Sequence, residues 1–221
     1  MLTCPSDISS INTAYTASDK ALRKLLVLRH WAPRTIDWQF KPLVSSQVPA
    51  CWRRCLLDRG SLTARLLAAS GGDFRVEVLR QQVGRAQLAE SRLLGLPPGR
   101  RAIIREVLLH GRDTPWVYAR SILPMSTLTG RQRRLKRLDN RPLGALLFAD
   151  PGMRRGTLQV GRVAAASLPL AGSVSEDPEP LWGRRSVFLL DGKPLLVSEI
   201  FLPDFSPYNE FCLQKSRWVD S

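Results

Sequence analysis

The sequence predicts an α+β domain with a mainly antiparallel sheet and helices packed on it. Strand-like segments predominate and are joined mainly by short turns, while helical segments collect near the start and in the middle of the chain. The clearest element is a hairpin over residues 181–203 (LWGRRSVFLLDGKPLLVSEIFLP), where two apolar runs flank the turn signal Asp191-Gly192. Short turns favour antiparallel pairing, because a parallel pair needs a long crossover connection.

The predicted helices have recognisable start or stop signals. Ser18 or Asp19 can cap the first helix, and Pro142 suits the first turn of the last one. Gly60 interrupts the second helical region, and Ser61 can cap a new turn there. The helical ranges are residues 19–28, 49–69, 126–138 and 142–148, and residues 86–94 are helical or irregular.

Strands are predicted over residues 74–82, 101–109, 116–123 and 157–165, in addition to the hairpin. In the strand 101–109, one face carries Ile103, Arg105 and Val107, and the other carries Ile104, Glu106 and Leu108. Both faces are largely apolar, so this strand is central and covered on both sides. Arg105 is therefore a charge in a layer that should be dry.

At 221 residues, the chain has the length of one ordinary domain. We divide it into a polar N-terminal tail (residues 1–18), a single domain (residues 19–203) and a C-terminal tail (residues 204–221). Residues 168–180 form a loop rich in proline, serine and acidic residues. No apolar run reaches the ~18 residues of a membrane span, and the start lacks the pattern of a secretory signal, so we expect a cytoplasmic protein without an integral membrane segment.

Metal binding has little support in the sequence. The four cysteines are Cys4, Cys51, Cys55 and Cys212, and no CxxC pair occurs. The two histidines lie in different segments, so a zinc site would lack two ligands at suitable spacing. We expect reduced thiols and no metal.

The net charge of +14 raises nucleic acid as a partner. The densest basic run, residues 131–138 (RQRRLKRL), has the leucine spacing of an amphipathic helix, and such a run is most often a solvated face. No nucleic-acid motif accompanies it, and the tryptophans are scattered singly rather than arranged for base stacking. We expect no nucleic-acid partner, and the positive field would equally favour a small anionic substrate.

Glu199 is a carboxylate within the second strand of the hairpin, on the same face as Leu195, Val197 and Phe201. A charge in an apolar layer is costly unless it is paired or used. Arg105 and Glu199 can therefore pair with each other, or with Glu106, and simply stabilise the sheet. Alternatively, the arginine holds a substrate carboxylate in two parallel hydrogen bonds and the glutamate moves a proton.

The sequence lacks the common catalytic motifs. It contains no GxGxxG, no GxxxxGK[ST], no HExxH and no GxSxG, and with two histidines a Ser-His-Asp triad is poorly supported. Dinucleotide, P-loop, zinc-protease and esterase chemistry are therefore disfavoured.

Several motifs in one order resemble the chorismate pyruvate-lyase family of ubiquinone biosynthesis. They are REVLLHGRDTPWVYARSILP from Arg105, then MSTLTG, RPLGALLF, LWGRRS and GKPLLVSEIFLP, and the resemblance covers about residues 56–203. It implies a lyase that converts chorismate to 4-hydroxybenzoate and pyruvate without a metal or organic cofactor. It also implies a chorismate lyase-like fold, an antiparallel sheet whose site is closed off by helical flaps.

The resemblance also assigns roles by position. Arg105 matches the arginine that holds a substrate carboxylate, and Glu199 matches the glutamate at the reacting end of the site. Leu143 matches a leucine whose backbone contacts the ligand, and Leu62 stands where the family often has a flap methionine. The expected site is thus Glu199 as catalytic residue, with Arg105, Leu143, Leu62 and Glu199 binding substrate.

Other residues in these motifs are expected to be structural. For Arg120 the alternatives are a second carboxylate contact and a structural ion pair, and we expect the structural role. We expect Trp182 to be core, and Gly144 to permit close helix packing or approach to ligand. Arg184 and Arg185 are expected in a solvated turn.

The rival function is a sensor domain of the same fold, which holds a small ligand without transforming it. Such domains usually follow a winged helix-turn-helix, and the N-terminal stretch here is too short and irregular for one. The protein is expected to act as a monomer.

Overall fold

The computed structural model describes residues 48–165, 168–170 and 180–205, which form a six-stranded antiparallel sheet with short helices on both faces. This confirms the predicted fold class. The helix expected over residues 19–28, the N-terminal tail and most of the C-terminal tail lie outside the described residues, as does most of the 168–180 loop. In the part of the chain that is described, no helix is long and apolar enough to cross a membrane.

The elements follow one another as short helices and long strands. The helices are α1 (Ala50–Leu56), α2 (Leu62–Ala69), α3 (Leu88–Leu93), a 3₁₀ helix (Gly130–Lys136) and α4 (Leu143–Phe148). The strands are β1 (Phe74–Arg85), β2 (Arg101–Gly111), β3 (Thr114–Pro124), β4 (Met153–Val163), β5 (Leu181–Leu190) and β6 (Lys193–Phe201).

The strand order in the sheet is β1-β2-β3-β6-β5-β4. Two-residue turns close the β2–β3 and β5–β6 hairpins. Both residues of each turn, Arg112-Asp113 and Asp191-Gly192, have positive φ, the backbone conformation that hairpin turns require. All the predicted strands exist. β1, β2 and β3 are longer than predicted, because β1 pairs with β2 as far as Arg85 and the first hairpin pairs as far as Gly111 and Thr114. The strand predicted over 157–165 instead spans Met153–Val163.

The helix predicted over residues 126–138 is instead a 3₁₀ helix confined to Gly130–Lys136. Two local features prevent a continuous α-helix. Gly130 has φ +55°, outside the helical region, and the Thr127 hydroxyl donates to the Pro194 carbonyl oxygen at 2.6 Å, which ties this segment to β6. The predicted interruption at Gly60 is confirmed, and Ser61 caps α2 by accepting from the Ala64 N–H at 3.3 Å.

Two apolar clusters lie on one face of the sheet, which we call the cavity face. The first packs α1 and α2 on the sheet through Leu56, Leu66 and Phe201, and it includes Trp182 as expected. The second packs the 3₁₀ helix and α4 on the sheet through Leu135 and Leu147. The helices of this face thus flank the space between the two clusters.

The opposite face also has two apolar clusters, one around Tyr118 and Ile200 and one around Ile104 and Ile122. Between them lies a set of polar side chains that we call the buried network, consisting of Glu90, Glu106, Tyr118 and Arg120. Arg120 Nε donates to Glu90 Oε1 at 2.8 Å, and Arg120 Nη1 and the Tyr118 hydroxyl both donate to Glu106 Oε1. All four side chains are buried, and the expected structural role of Arg120 agrees with this geometry.

The pKa values in the buried network follow from these contacts. Burial alone would lower the pKa of the Arg120 guanidinium, but hydrogen bonding and the charges of Glu90 and Glu106 outweigh it and raise the pKa. Burial and the neighbouring Glu106 carboxylate raise the pKa of Tyr118 well above its ordinary value. Arg120 therefore keeps its charge, and that charge compensates two buried carboxylates.

The two helices that flank the cavity face touch each other at Gly144 of α4 and Thr63 of α2. A Cβ at position 144 would lie 2.6 Å from Thr63 Oγ1, which is closer than real contacts allow. Close helix packing, one of the two roles expected for Gly144, is what the structure shows.

We predict that Arg120→Ala lowers the free energy of unfolding by about 3–5 kcal/mol, because it leaves two buried carboxylates uncompensated. Urea denaturation measures the loss. Arg154→Ala, which removes an exposed arginine of β4, is the control and should change stability by less than about 0.5 kcal/mol. A loss below about 1 kcal/mol in Arg120→Ala would contradict the role of the buried network.

We predict that Gly144→Ala destabilises the protein by about 1–3 kcal/mol, because the new methyl group collides with Thr63. Alanine is the better helix former, so in the absence of a collision the same change would stabilise the helix by up to about 1 kcal/mol. Thermal denaturation therefore decides between the two cases: the melting temperature of Gly144→Ala falls if the methyl group collides with Thr63 and rises if it does not. In a Thr63→Ala background, which lacks Thr63 Oγ1, Gly144→Ala should cost much less stability than in the wild type.

Candidate active site

A cavity lies on the cavity face, between the two apolar clusters and beneath α2 and α4. It holds about 560 Å³ of atom-free space, counting the open solvent at its mouth. The cavity is lined by side chains of β1 to β6, α2 and α4, of which four are charged: Arg105, Arg155, Arg184 and Glu199.

The structure brings all four expected site residues to this cavity. Arg105 projects from β2 and Glu199 from β6, and Leu62 and Leu143 are the first residues of α2 and α4. Leu62 and Leu143 are 4% and 7% exposed, so both form apolar walls. Strand alternation is the reason that Arg105 and Glu199 face the same side as Val107 and Val197, which also line the cavity.

Arg105 is held by neutral groups. Its Nη1 donates to Gln81 Oε1 at 2.6 Å, and its Nη2 donates to the carbonyl oxygens of Asp139 and Arg141 at 2.7 and 3.2 Å. Among the described residues no carboxylate forms an ion pair with it. Burial lowers the pKa of Arg105, which the charge of Asp139 opposes. An arginine that stays protonated under these conditions is suited to bind an anion.

Glu199 pairs with Arg184, which lies directly opposite it on β5. Arg184 Nε donates to Glu199 Oε2 at 2.6 Å, and Arg184 Nη1 donates to the carbonyl oxygens of Cys55 and Asp58 at 2.6 and 2.9 Å. The Arg184 side chain is 1% exposed and the Glu199 side chain 17%. Arg184 thus fixes the Glu199 carboxylate, which remains accessible from the cavity.

Arg155 projects from β4 and completes the charged lining. Its Nε donates to Ser186 Oγ at 3.1 Å, its Nη1 contacts the carbonyl oxygens of Asp58 and Gly60 at 3.4 Å, and its guanidinium lies 5.1 Å from the centre of the Phe188 ring. Burial and the positive charge of Arg184 lower the pKa of Arg155, while the charges of Glu199 and Asp58 oppose the shift. As with Arg105, no carboxylate in the described part of the chain forms an ion pair with it.

The charged lining therefore carries three guanidinium groups and one carboxylate, a net charge of +2. The carboxylate is already paired, so two positive charges remain uncompensated in a mostly apolar cavity. Such a cavity favours a small ligand that has two negative charges and an apolar body.

The pairings considered from the sequence are not present: Arg105 bonds to neither Glu199 nor Glu106, and the partner of Glu199 is Arg184. The expectation of a solvated turn at Arg184 and Arg185 is wrong, since both lie within β5 and are 1% and 6% exposed. A signal for Arg184 was present in the sequence. Counting equal distances from the Asp191-Gly192 turn places Arg184 opposite Glu199.

The basic run 131–138 contributes to folding as well as to surface charge. Arg131 forms ion pairs with Asp150 and Asp191, and Arg134 pairs with Asp150 at 2.9 Å. Leu135 and Leu138 are buried, as their spacing predicted. This segment joins the 3₁₀ helix to the end of α4 and to the β5–β6 turn.

Within the described ranges, no group of three His, Cys, Asp or Glu side chains could hold a metal ion.

Comparison with solved structures finds regulator domains of low sequence identity. The ligand-binding domain of a putative GntR-family transcriptional regulator from Bordetella bronchiseptica matches with a TM-score of 0.46 at 22% identity, covering 61% of this chain and 87% of that chain. PhnF from Mycobacterium smegmatis matches with a TM-score of 0.48 at 17% identity, covering 67% of this chain and 66% of that chain.

Comparison of the sequence finds much nearer relatives. A protein named "Probable chorismate pyruvate-lyase" from Methylococcus capsulatus is 46% identical over 149 residues, which cover 67% of this chain and 92% of that protein. One of the same name from Azoarcus sp. is 45% identical over 179 residues, covering 77% of this chain and 87% of that protein. The family model described as chorismate lyase matches residues 32–209. The chain belongs to the chorismate lyase family.

Proposed function

We propose that this protein is a chorismate pyruvate-lyase, which cleaves chorismate to 4-hydroxybenzoate and pyruvate. The observation that carries this function is the cavity of net charge +2, with Arg105 uncompensated and Glu199 anchored, in a chain of the chorismate lyase family. Chorismate has a ring of largely apolar character and two carboxylates, which are the properties that the cavity favours.

Arg105 would bind the ring carboxylate. Its neutral partners hold the guanidinium in position without neutralising it, so the charge is available to an incoming anion. Hydrogen bonds between an arginine and a carboxylate are stronger than those between neutral groups, especially away from water. Leu62 and Leu143 would pack against the ring, because they begin the two helices that cover the cavity.

The reaction needs orientation more than strong activation, because the ring becomes aromatic. The bond between the ring carbon and the enolpyruvyl oxygen breaks and its electron pair goes to that oxygen. The adjacent ring carbon, which carries the hydroxyl, loses its proton. The enolate of pyruvate then takes up a proton, so the overall reaction neither consumes nor releases one. Correct positioning of the substrate can supply much of such an acceleration.

Glu199 would accept the ring proton or hydrogen-bond the ring hydroxyl. Arg184 Nε binds Glu199 Oε2, while Glu199 Oε1 accepts no hydrogen bond from the described residues. One carboxylate oxygen is thus fixed and the other has no hydrogen-bond partner among the described residues, in a side chain that lines the cavity. This arrangement supports a role for Glu199 at the reacting end of the substrate.

We predict that the purified protein converts chorismate to equimolar 4-hydroxybenzoate and pyruvate, and that Arg105→Met lowers kcat/KM by roughly 10- to 100-fold, the effect of losing a charge-assisted contact. Chromatography of 4-hydroxybenzoate with a parallel pyruvate assay measures both. Arg154→Met is the control on an exposed arginine and should leave turnover unchanged. Tight binding of 4-hydroxybenzoate without turnover by the wild type would make the protein a sensor instead.

We predict that Glu199→Gln lowers kcat at least ~100-fold, the usual contribution of a general acid or base. Glutamine retains an oxygen that accepts from Arg184, so the fold should survive. Glu199→Asp keeps the carboxylate and should retain part of the activity. Proton transfer would be the wrong role if Glu199→Gln kept full turnover. A higher KM and weaker 4-hydroxybenzoate binding with kcat unchanged would indicate a role in binding alone.

A further inference from the structure

We propose that Arg155 binds the carboxylate of the departing enolpyruvyl group, so that the two uncompensated arginines of the cavity each hold one carboxylate of the substrate. This inference rests on the proposed function. It adds a second anion-binding residue to the site expected from the sequence, at which a single arginine was expected to bind carboxylate.

The three cavity arginines differ in their partners. Arg184 is paired with Glu199 at 2.6 Å. Arg105 and Arg155 bond only to neutral groups among the described residues, and burial lowers the pKa of both. Arg105 is buried and Arg155 is half-buried, and an arginine removed from water without a counter-charge costs stability, which the charge of a ligand can offset. A ligand with two carboxylates would supply both.

Arg155 is held in place by contacts that leave its charge available. The Phe188 ring lies beneath its guanidinium at 5.1 Å, and Ser186 Oγ accepts from its Nε. The two carbonyl contacts of its Nη1, at 3.4 Å, are long and therefore weak. The remaining N–H groups can form two parallel hydrogen bonds with a carboxylate.

The positions of Arg105 and Arg155 in the sheet agree with two separate carboxylate-binding groups, one at each end of the substrate. Arg105 lies on β2 and Arg155 on β4, and three strands of the sheet lie between them. Glu199 and Arg184, on β6 and β5, stand between the two. A substrate held at both ends would therefore place its reacting carbons near Glu199.

Arg155 would also assist the bond cleavage. When the bond between the ring carbon and the enolpyruvyl oxygen breaks, the electron pair moves to the enolpyruvyl fragment, which leaves as an enolate. A guanidinium bound to the carboxylate of that fragment lies close to the developing charge. Fixed positive charge at the position where negative charge develops is an effective form of catalysis.

The two carboxylates of the substrate provide the test, because 4-hydroxybenzoate keeps the ring carboxylate and lacks the enolpyruvyl one. Arg155→Met should lower kcat/KM for chorismate by roughly 10- to 100-fold while changing the Kd for 4-hydroxybenzoate less than about twofold. Arg155→Lys should recover part of the activity. Arg105→Met should lower kcat/KM for chorismate and also weaken the binding of 4-hydroxybenzoate. Arg154→Met, which changes the exposed neighbour of Arg155, should alter neither quantity.

The outcomes separate this inference from the proposed function. Suppose that the wild type cleaves chorismate. If Arg155→Met then raises the Kd for 4-hydroxybenzoate by as large a factor as it lowers kcat/KM for chorismate, or changes neither quantity, Arg155 is structural. In that case the inference is wrong while the function stands. If the wild type does not cleave chorismate, the function fails and the inference fails with it. Arg155→Lys keeps size and charge, so the comparison remains available if Arg155→Met does not fold.

Discussion

The central strands of this protein are buried on both faces, so each charge they carry must be compensated by a partner or by a ligand. Most residues of β2, β3, β5 and β6 are buried, yet these strands carry Arg105, Glu106, Arg120, Arg184, Arg185 and Glu199. Moving such charges out of water costs several kcal/mol each, unless other groups replace the lost hydration. The arrangement of these charges determines both where the protein is rigid and where it can bind.

The two faces of the sheet meet this constraint in different ways. On the opposite face, Arg120 donates to both Glu90 and Glu106, so the charges compensate one another within the protein. Among the described residues that line the cavity, Arg184 and Glu199 form the one such pair, and Arg105 and Arg155 have neutral partners. Arg120 is thus structural on one face, whereas Arg105 and Arg155 are available to a ligand on the other.

The helices complete the site because they are short and placed where the apolar clusters leave a gap. α2 and α4 meet at Thr63 and Gly144, and each begins with a leucine that lines the cavity. The carbonyl oxygens of Asp139 and Arg141, in the connection before α4, hold Arg105. The cover of the cavity and the orientation of its arginine therefore depend on the same segment.

Local patterns in the sequence were sufficient for much of this description. Strand alternation placed Arg105 and Glu199 in apolar layers, the Asp191-Gly192 turn determined the hairpin and its register, and the motifs identified the family. The partners of these charges required the tertiary structure. Arg184 bonds to the carbonyl oxygen of Cys55, 129 residues away, and β3 pairs with β6 although a long stretch of chain separates them. Periodicity determines the face on which a side chain lies, but strand order determines what it meets, and that order results from packing of the whole chain. For this reason Arg155 had no signal in the sequence, although it lies in the cavity beside Arg184 and Glu199.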